Sequence, residues 1–144
     1  MKIKIFYDEI AYRLKDSRNC LKLIEKVIRS EKKIPGDLSF IITTDDTLID
    51  INREFLDHDY FTDVLAFSNN DNKIVNGEVY ISLNTVRKNA NNYKVSLRNE
   101  MIRVMIHGTL HILGYKDNSR KEKDVMRKEE DKWINRANKT IYGF

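Results

Sequence analysis

The most informative part of the chain is residues 96–117, which read SLRNEMIRVMIHGTLHILGYKD. Ser96 is a residue type that caps the N-terminus of a helix, and Glu100 follows it four residues later. Gly114 can adopt the left-handed conformation that ends a helix and folds the chain back. The stretch therefore predicts a helix from Leu97 to Leu113, followed by a reversal of the chain.

Two of the three histidines in the chain lie four residues apart near the end of this helix. Residues at that spacing share one helix face, with Cβ atoms about 5–6 Å apart, so His107 and His111 can both reach one ion at the roughly 2.0–2.1 Å of a zinc–nitrogen bond. The reversal at Gly114 brings Asp117 alongside them. These three ligands leave one coordination position open, as in catalytic zinc sites. The pattern predicts a metal site formed by His107, His111 and Asp117.

The third ligand has one competitor in the sequence. His58 lies in the polar and aromatic loop before the third strand, and it can reach the metal only through a long-range coincidence of the fold. Asp117 needs only one turn of chain, so it is the favoured ligand. A chance pair of histidines at this spacing would instead be ordinary surface or core residues of a helix.

The rest of the chain predicts a single domain, 1–144, because it contains no repeat, no low-complexity tract and no linker-like stretch. Pro35 and Gly36 predict a turn, and residues 68–77, rich in Asn and Asp, predict a mobile hairpin connection. Strands and helices interleave, which predicts an α+β (α/β-like) fold: one small four-stranded mixed sheet packed with about five helices. The predicted strands are at 1–7, 38–43, 64–67 and 78–82, and the other helices are at 16–31, 45–55, 84–93 and 119–136, the last with Val125, Met126, Trp133 and Ile134 on one side.

The composition is that of an ordinary globular protein, with 144 residues, 41% hydrophobic and 33% charged. No apolar run approaches the roughly 20 residues of a transmembrane helix, and the start of the chain alternates like a strand, which predicts a cytoplasmic location. The single cysteine, Cys20, excludes an internal disulfide and a Cys-rich zinc site, and its helical context predicts a core position. A net charge of +4 permits a polyanionic partner without requiring one.

The stretch from His107 to Asp117 resembles the signature of the YbeY family of bacterial metallo-endoribonucleases. Other segments resemble that family in the same order, over about residues 37–130. Three positions depart from its pattern: Asp117 stands where the family has a histidine ligand, Leu56 where it has an arginine, and Phe61 where it has a proline. The other segments are 52–55, 62–67, 77–82 and 100–104, together with Met126 and Glu129 on the last helix.

The resemblance implies a single-strand-specific endoribonuclease that acts in ribosomal RNA maturation, including the 3′ end of 16S rRNA, and in ribosome quality control. It implies one Zn²⁺ per chain, or another divalent metal, with single-stranded RNA, rRNA and ribosomal particles as partners; the sequence names no general acid or base. The candidate RNA contacts are Arg53, Arg87, Arg103 and Lys116.

Three other functions fit the same ligands. The first is a zinc peptidase, although Gly108 stands where the His-Glu-x-x-His enzymes have their glutamate. The second is a two-histidine, one-carboxylate iron enzyme, which has the same ligand set but nothing else in its favour. The third is a non-catalytic ribosome-associated factor whose metal only stabilises the fold.

Overall fold

The computed structural model describes residues 2–56 and 63–142. They form a four-stranded mixed sheet and five helices, which confirms the predicted α+β fold. None of the helices in these ranges is long and apolar enough to span a membrane. In chain order the elements are β1 (Lys2–Tyr7), α1 (Ser17–Ser30), β2 (Ile34–Thr43), α2 (Asp45–Leu56), β3 (Val64–Ser68), β4 (Ile74–Ser82), α3 (Leu83–Tyr93), α4 (Leu97–Ile112) and α5 (Arg120–Tyr142).

The sheet has the strand order β1-β2-β4-β3. Strand β2 pairs parallel with both β1 and β4, whereas β3 runs antiparallel to β4. Alternate side chains of β2, namely Leu38, Phe40 and Ile42, are fully buried, as expected for a strand with one face on the core. This alternation places the core on the sheet face that the helices cover.

Helix α4 is the central helix of the fold, since it contacts α1, α3 and α5 as well as β3 and β4. Its close approach to the sheet depends on Gly108, where an added Cβ would lie 2.5 Å from Cγ1 of Val79. Most of its other side chains are buried, so the helix is held on all sides. A side chain on its last turn is therefore carried by a rigid element.

Both ends of α4 form as the sequence predicts. The Ser96 hydroxyl accepts a hydrogen bond from the Asn99 backbone N–H at 3.0 Å, which caps the N-terminus. At the other end Gly114 has a positive φ of 105°, and the Tyr115 N–H donates to the Leu110 carbonyl at 2.9 Å. The chain folds back after one turn, because glycine adopts this conformation at no steric cost.

Two predicted connections are wrong, because strand pairing extends into them. Pro35 and Gly36 lie inside β2 rather than in a turn, and a register shift between Pro35 and Leu38 accommodates them. Strand β4 begins at Ile74, pairing with Ile34, so the hairpin connection is much shorter than residues 68–77. Long-range pairing therefore overrides the local turn preference of proline and glycine.

The other sequence predictions have mixed outcomes. Cys20 is buried, with 3% of its surface exposed, which confirms its core position. Helix α5 is longer than predicted and buries Met126, Trp133 and Ile134, but the prediction for Val125 is wrong, since 48% of its surface is exposed. The predicted loop 57–62 lies outside the described residues.

Candidate metal centre

Three ligand atoms converge where α4 ends and the chain turns back. Nε2 of His107 and Nε2 of His111 lie 3.0 Å apart, and Oδ2 of Asp117 lies 3.4 Å from the first and 3.3 Å from the second. Two ligand atoms held at roughly 2.0–2.1 Å from one tetrahedral ion are themselves about 3.3–3.4 Å apart. The separations in this cluster fit a shared ion of the size of zinc. Among the described residues it is the only group of three His, Cys, Asp or Glu side chains whose ligand atoms lie close enough together to hold one ion.

The hydrogen bonds of the two imidazole rings leave the converging nitrogens free to bind a cation. Nδ1 of His107 donates to Oε2 of Glu130 at 2.6 Å, and Nδ1 of His111 donates to the Tyr115 carbonyl at 3.1 Å. With the proton on Nδ1, each Nε2 carries a lone pair directed at the other ligands. Two such lone pairs and a carboxylate repel one another unless a cation lies between them, so the donor set fits a divalent metal.

Glu130 belongs to a buried chain of charges behind His107. Only 6% of its surface is exposed, and its Oε1 accepts a hydrogen bond from Nη1 of Arg103 at 3.1 Å. Nη2 of Arg103 donates in turn to Asp131 at 2.9 Å. The Arg103 guanidinium thus contacts two carboxylates of α5, and its role as an RNA contact stays a prediction. This chain fixes the orientation of the His107 ring.

The electrostatics of the centre favour a positive charge. Burial lowers the pKa of His107, but the hydrogen bond to Glu130 and the negative charges of Glu130, Asp63 and Asp117 outweigh it, so the pKa is raised. Burial raises the pKa of Asp63, which the charge of His107 offsets in part. Burial also raises the pKa of Glu100, with the charge of Arg103 opposing it. Several carboxylates near His107 are therefore poorly solvated.

A cleft of about 230 Å³ opens beside the ligand cluster, and His107 and Asp117 belong to its wall. Its interior is acidic and its rim carries cations and an exposed aromatic ring. The residues concerned are Asp63, Glu100 and Glu130 in the interior and Tyr93, Lys123 and Arg127 at the rim.

The sequence-predicted residues separate into two groups. His107, His111 and Asp117 come together, and Arg103 lies behind them. The other predicted RNA contacts, Arg53, Arg87 and Lys116, are exposed and do not line the cleft. The competing ligand His58 and the side chain of Leu56 lie outside the described part of the chain, as does Phe61.

Sequence reasoning missed Glu130, although a signal for it exists. The family resemblance points to Glu129 on the last helix, but Glu129 pairs with Lys132 at 2.9 Å. Glu130 lies four residues after Met126 and three before Trp133, so the helical period places it on the buried face of α5. A carboxylate on an otherwise apolar helix face indicates a buried partner.

The fold and the site together define a small α+β protein with a two-histidine, one-carboxylate metal centre beside a charged cleft. Residues 6–138 match the family model described as Endoribonuclease YbeY. The chain is 40% identical over 129 residues to "Endoribonuclease YbeY" of Christiangramia forsetii, covering 90% of each chain. It is 39% identical over 126 residues to the protein of that name from Flavobacterium psychrophilum, covering 88% of this chain and 90% of the relative.

A solved structure agrees with these sequence matches. The solution structure of a Thermotoga maritima protein superposes with a TM-score of 0.67 at 26% identity, covering 99% of this chain and 93% of the other. The chain therefore belongs to the YbeY endoribonuclease family.

Proposed function

We propose that this protein is a metal-dependent endoribonuclease that cuts single-stranded RNA during ribosomal RNA maturation, including at the 3′ end of 16S rRNA, and in ribosome quality control. The observation that carries the proposal is the convergence of His107, His111 and Asp117, with ligand atoms 3.0–3.4 Å apart, in a chain of this family. Residues 1–144 act as one hydrolase domain. The metal is one Zn²⁺ per chain, because two imidazoles and a carboxylate with one open position form a typical catalytic zinc site.

The bound cation supplies Lewis-acid chemistry: it stabilises charge that develops on a phosphoryl oxygen and lowers the pKa of water. The protein supplies the arrangement around it. Glu130 and the Tyr115 carbonyl hold the rings of His107 and His111 in the tautomers that leave both Nε2 atoms available. Asp117 contributes one negative charge, so the ligand set carries a charge of −1.

The phosphates of the substrate need positive charge close to the metal. Lys123 and Arg127 at the rim of the cleft are the cations best located for this, and both belong to the wall that also contains His107. Arg53, Arg87 and Lys116 extend the basic surface away from the cleft. Ribosomal particles are the partners that would present the RNA strand to this surface.

The structure gives the peptidase alternative no support. Peptidases with His-Glu-x-x-His use the glutamate after the first histidine as the general base, and position 108 is a glycine here. That position faces the sheet, since an added Cβ would lie 2.5 Å from Val79 and 3.3 Å from Val64. A glutamate could not occupy it without displacing the strand.

The experiment measures cleavage of matched RNA substrates by the zinc-loaded protein, before and after chelation. We expect cuts within single-stranded RNA, slower cutting of the same sequence in a duplex, and no digestion of casein. Activity should vanish with the chelator and return with zinc. Asp117→Asn should lose most activity, whereas Asp124→Asn, the same charge change at an exposed position of α5 outside the cleft, should keep it.

Two results would contradict the proposal. The first is metal-dependent proteolysis with no RNA cleavage, even on ribosome-bound precursor. The second is a chelated protein that melts at a much lower temperature but cuts RNA as before, which would make the metal structural.

A further inference from the structure

Glu100 is a buried residue that lines the cleft, and one oxygen of its carboxylate has no hydrogen-bond partner. Only 3% of the residue's surface is exposed, and Oε1 has no hydrogen-bond partner. Nε of Arg103 lies 3.9 Å from Oε1, an ion-pair distance that is too long for a hydrogen bond. Arg103 instead donates its hydrogen bonds to Glu130 and Asp131. Glu100 therefore keeps an acceptor for a group that the folded chain does not provide.

An unsatisfied buried acceptor costs free energy, so a fold selected for stability alone would replace it with an apolar residue. The cleft that Glu100 lines is too large to be filled by a single water. The cleft has a volume of about 230 Å³, several times the roughly 30 Å³ that one water molecule occupies. The site has room for a small planar ligand.

A ligand of Glu100 does not need a positive charge of its own. The Arg103 guanidinium already lies near Glu100 and Glu130 and offsets part of their negative charge, so a neutral hydrogen-bond donor is sufficient. Asp63 and Glu100 both line the cleft, so a ligand held there meets two carboxylates. Two acceptors side by side match a ligand with two adjacent N–H donors.

We propose that the cleft is a nucleobase subsite, in which Glu100 accepts a hydrogen bond from the base edge of an RNA nucleotide next to the cleaved bond. This inference rests on the proposed endoribonuclease function. Proteins that read single-stranded RNA bind the edges of unstacked bases and stack the bases on aromatic rings. Tyr93, 57% exposed at the rim of the cleft, provides such a ring.

Guanine is the base that fits this acceptor pair best. It presents two neighbouring donors, N1–H and the N2 amino group, whereas the other bases present an acceptor beside their donor on the same edge. The cleft wall includes the ligands His107 and Asp117, so a base held there lies within one nucleotide of the metal. The subsite would therefore select guanosine beside the cut.

The test measures binding of four 5′-mononucleotides to the zinc-loaded protein by equilibrium dialysis, because the phosphate and ribose contributions are common to all four. GMP should bind roughly tenfold more tightly than AMP, CMP or UMP. IMP, which lacks the N2 amino group, should lose most of that advantage. This comparison changes only the ligand, so it does not depend on the folding of any variant.

Glu100→Gln assigns the preference to the carboxylate. The substitution keeps the shape of the side chain. Because Oε1 accepts no hydrogen bond and lies 3.9 Å from its nearest charged partner, Nε of Arg103, the melting temperature should stay the same or rise. The preference for GMP should fall to within about twofold, with zinc stoichiometry unchanged. Glu129→Gln, the same charge change outside the cleft, should keep it.

Cleavage of oligonucleotides that differ at one position should show the same preference in the wild type and lose it in Glu100→Gln. Equal binding of all four nucleotides, or none, would overturn the subsite even if RNA is cleaved. A guanine preference that survives in Glu100→Gln would overturn the role of Glu100. Nucleotide binding without any metal-dependent RNA cleavage would instead count against the proposed function.

Discussion

Replacing Glu130 with glutamine should weaken metal binding, although Glu130 is not itself a metal ligand. The wild-type carboxylate accepts a charge-assisted hydrogen bond of 2.6 Å from Nδ1 of His107 and is 6% exposed, so little water screens the interaction. Glutamine retains an acceptor oxygen but not the charge, and its amide cannot satisfy both His107 and Arg103 as the carboxylate does. Loss of such a partner costs about 10- to 100-fold in metal affinity, or roughly 1.4–2.7 kcal/mol.

The assay is a zinc titration of the metal-free protein against a competing chelator, with the melting temperature of the same metal-free sample recorded alongside. Glu129→Gln is the matched control, because Glu129 pairs with Lys132 near the surface rather than with His107, and its zinc affinity should change less than about twofold. Equal zinc affinity for Glu130→Gln and the wild type would refute the orienting role. A fall in affinity of the same size in both variants would assign the effect to net charge alone.

Asp117→Ala should lose zinc and activity, whereas Asp117→His should retain both, since carboxylate and imidazole are each zinc ligands. His58→Ala should have little effect; a loss of zinc in His58→Ala but not in Asp117→Ala would make His58 the third ligand. Gly108→Ala should lower the free energy of unfolding by about 1–3 kcal/mol in chemical denaturation, because its Cβ would lie 2.5 Å from the buried Val79; an unchanged value would contradict the close approach. The pKa of His107 is raised above the ordinary histidine value of 6.5, so protons compete with zinc for this ligand at a higher pH than usual. As the solution is acidified, zinc affinity should therefore begin to fall before the pH reaches 6.5. RNA binding should weaken with added salt, and an affinity independent of salt would exclude phosphate contacts.

The local parts of the site could be predicted from sequence because their geometry is set by adjacent residues. A helix places His107 and His111 on one face whatever surrounds it, and a glycine at position 114 lets the chain return within one turn. The position of Asp117 can be predicted for the same reason, because it lies only three residues after that glycine. The fold class also follows, because the alternation of apolar residues in strands and helices is a local property.

The parts that depend on packing between distant elements could not be predicted. Glu130 reaches His107 only because α5 lies against α4, and a choice between positions 129 and 130 requires the phase of that helix. The positive charge of Arg103 predicts an RNA contact, but in the folded chain its guanidinium pairs with two carboxylates of α5. The unsatisfied oxygen of Glu100 exists only in the packed structure, since exposed glutamates are solvated. Pairing of Ile34 with Ile74 likewise extends β2 through Pro35.

Metal-dependent RNA cleavage is tested most directly by stoichiometry: zinc is added back to metal-free protein while bound metal and cleavage of one single-stranded RNA are measured on the same samples. We expect cleavage to rise in proportion to bound zinc and to stop rising at one ion per chain. His111→Ala should bind no stoichiometric zinc and cut nothing at any concentration. Full cleavage by the metal-free protein would contradict a catalytic metal, and a protein with one zinc per chain that cuts neither free RNA nor ribosome-bound precursor would contradict the ribonuclease function.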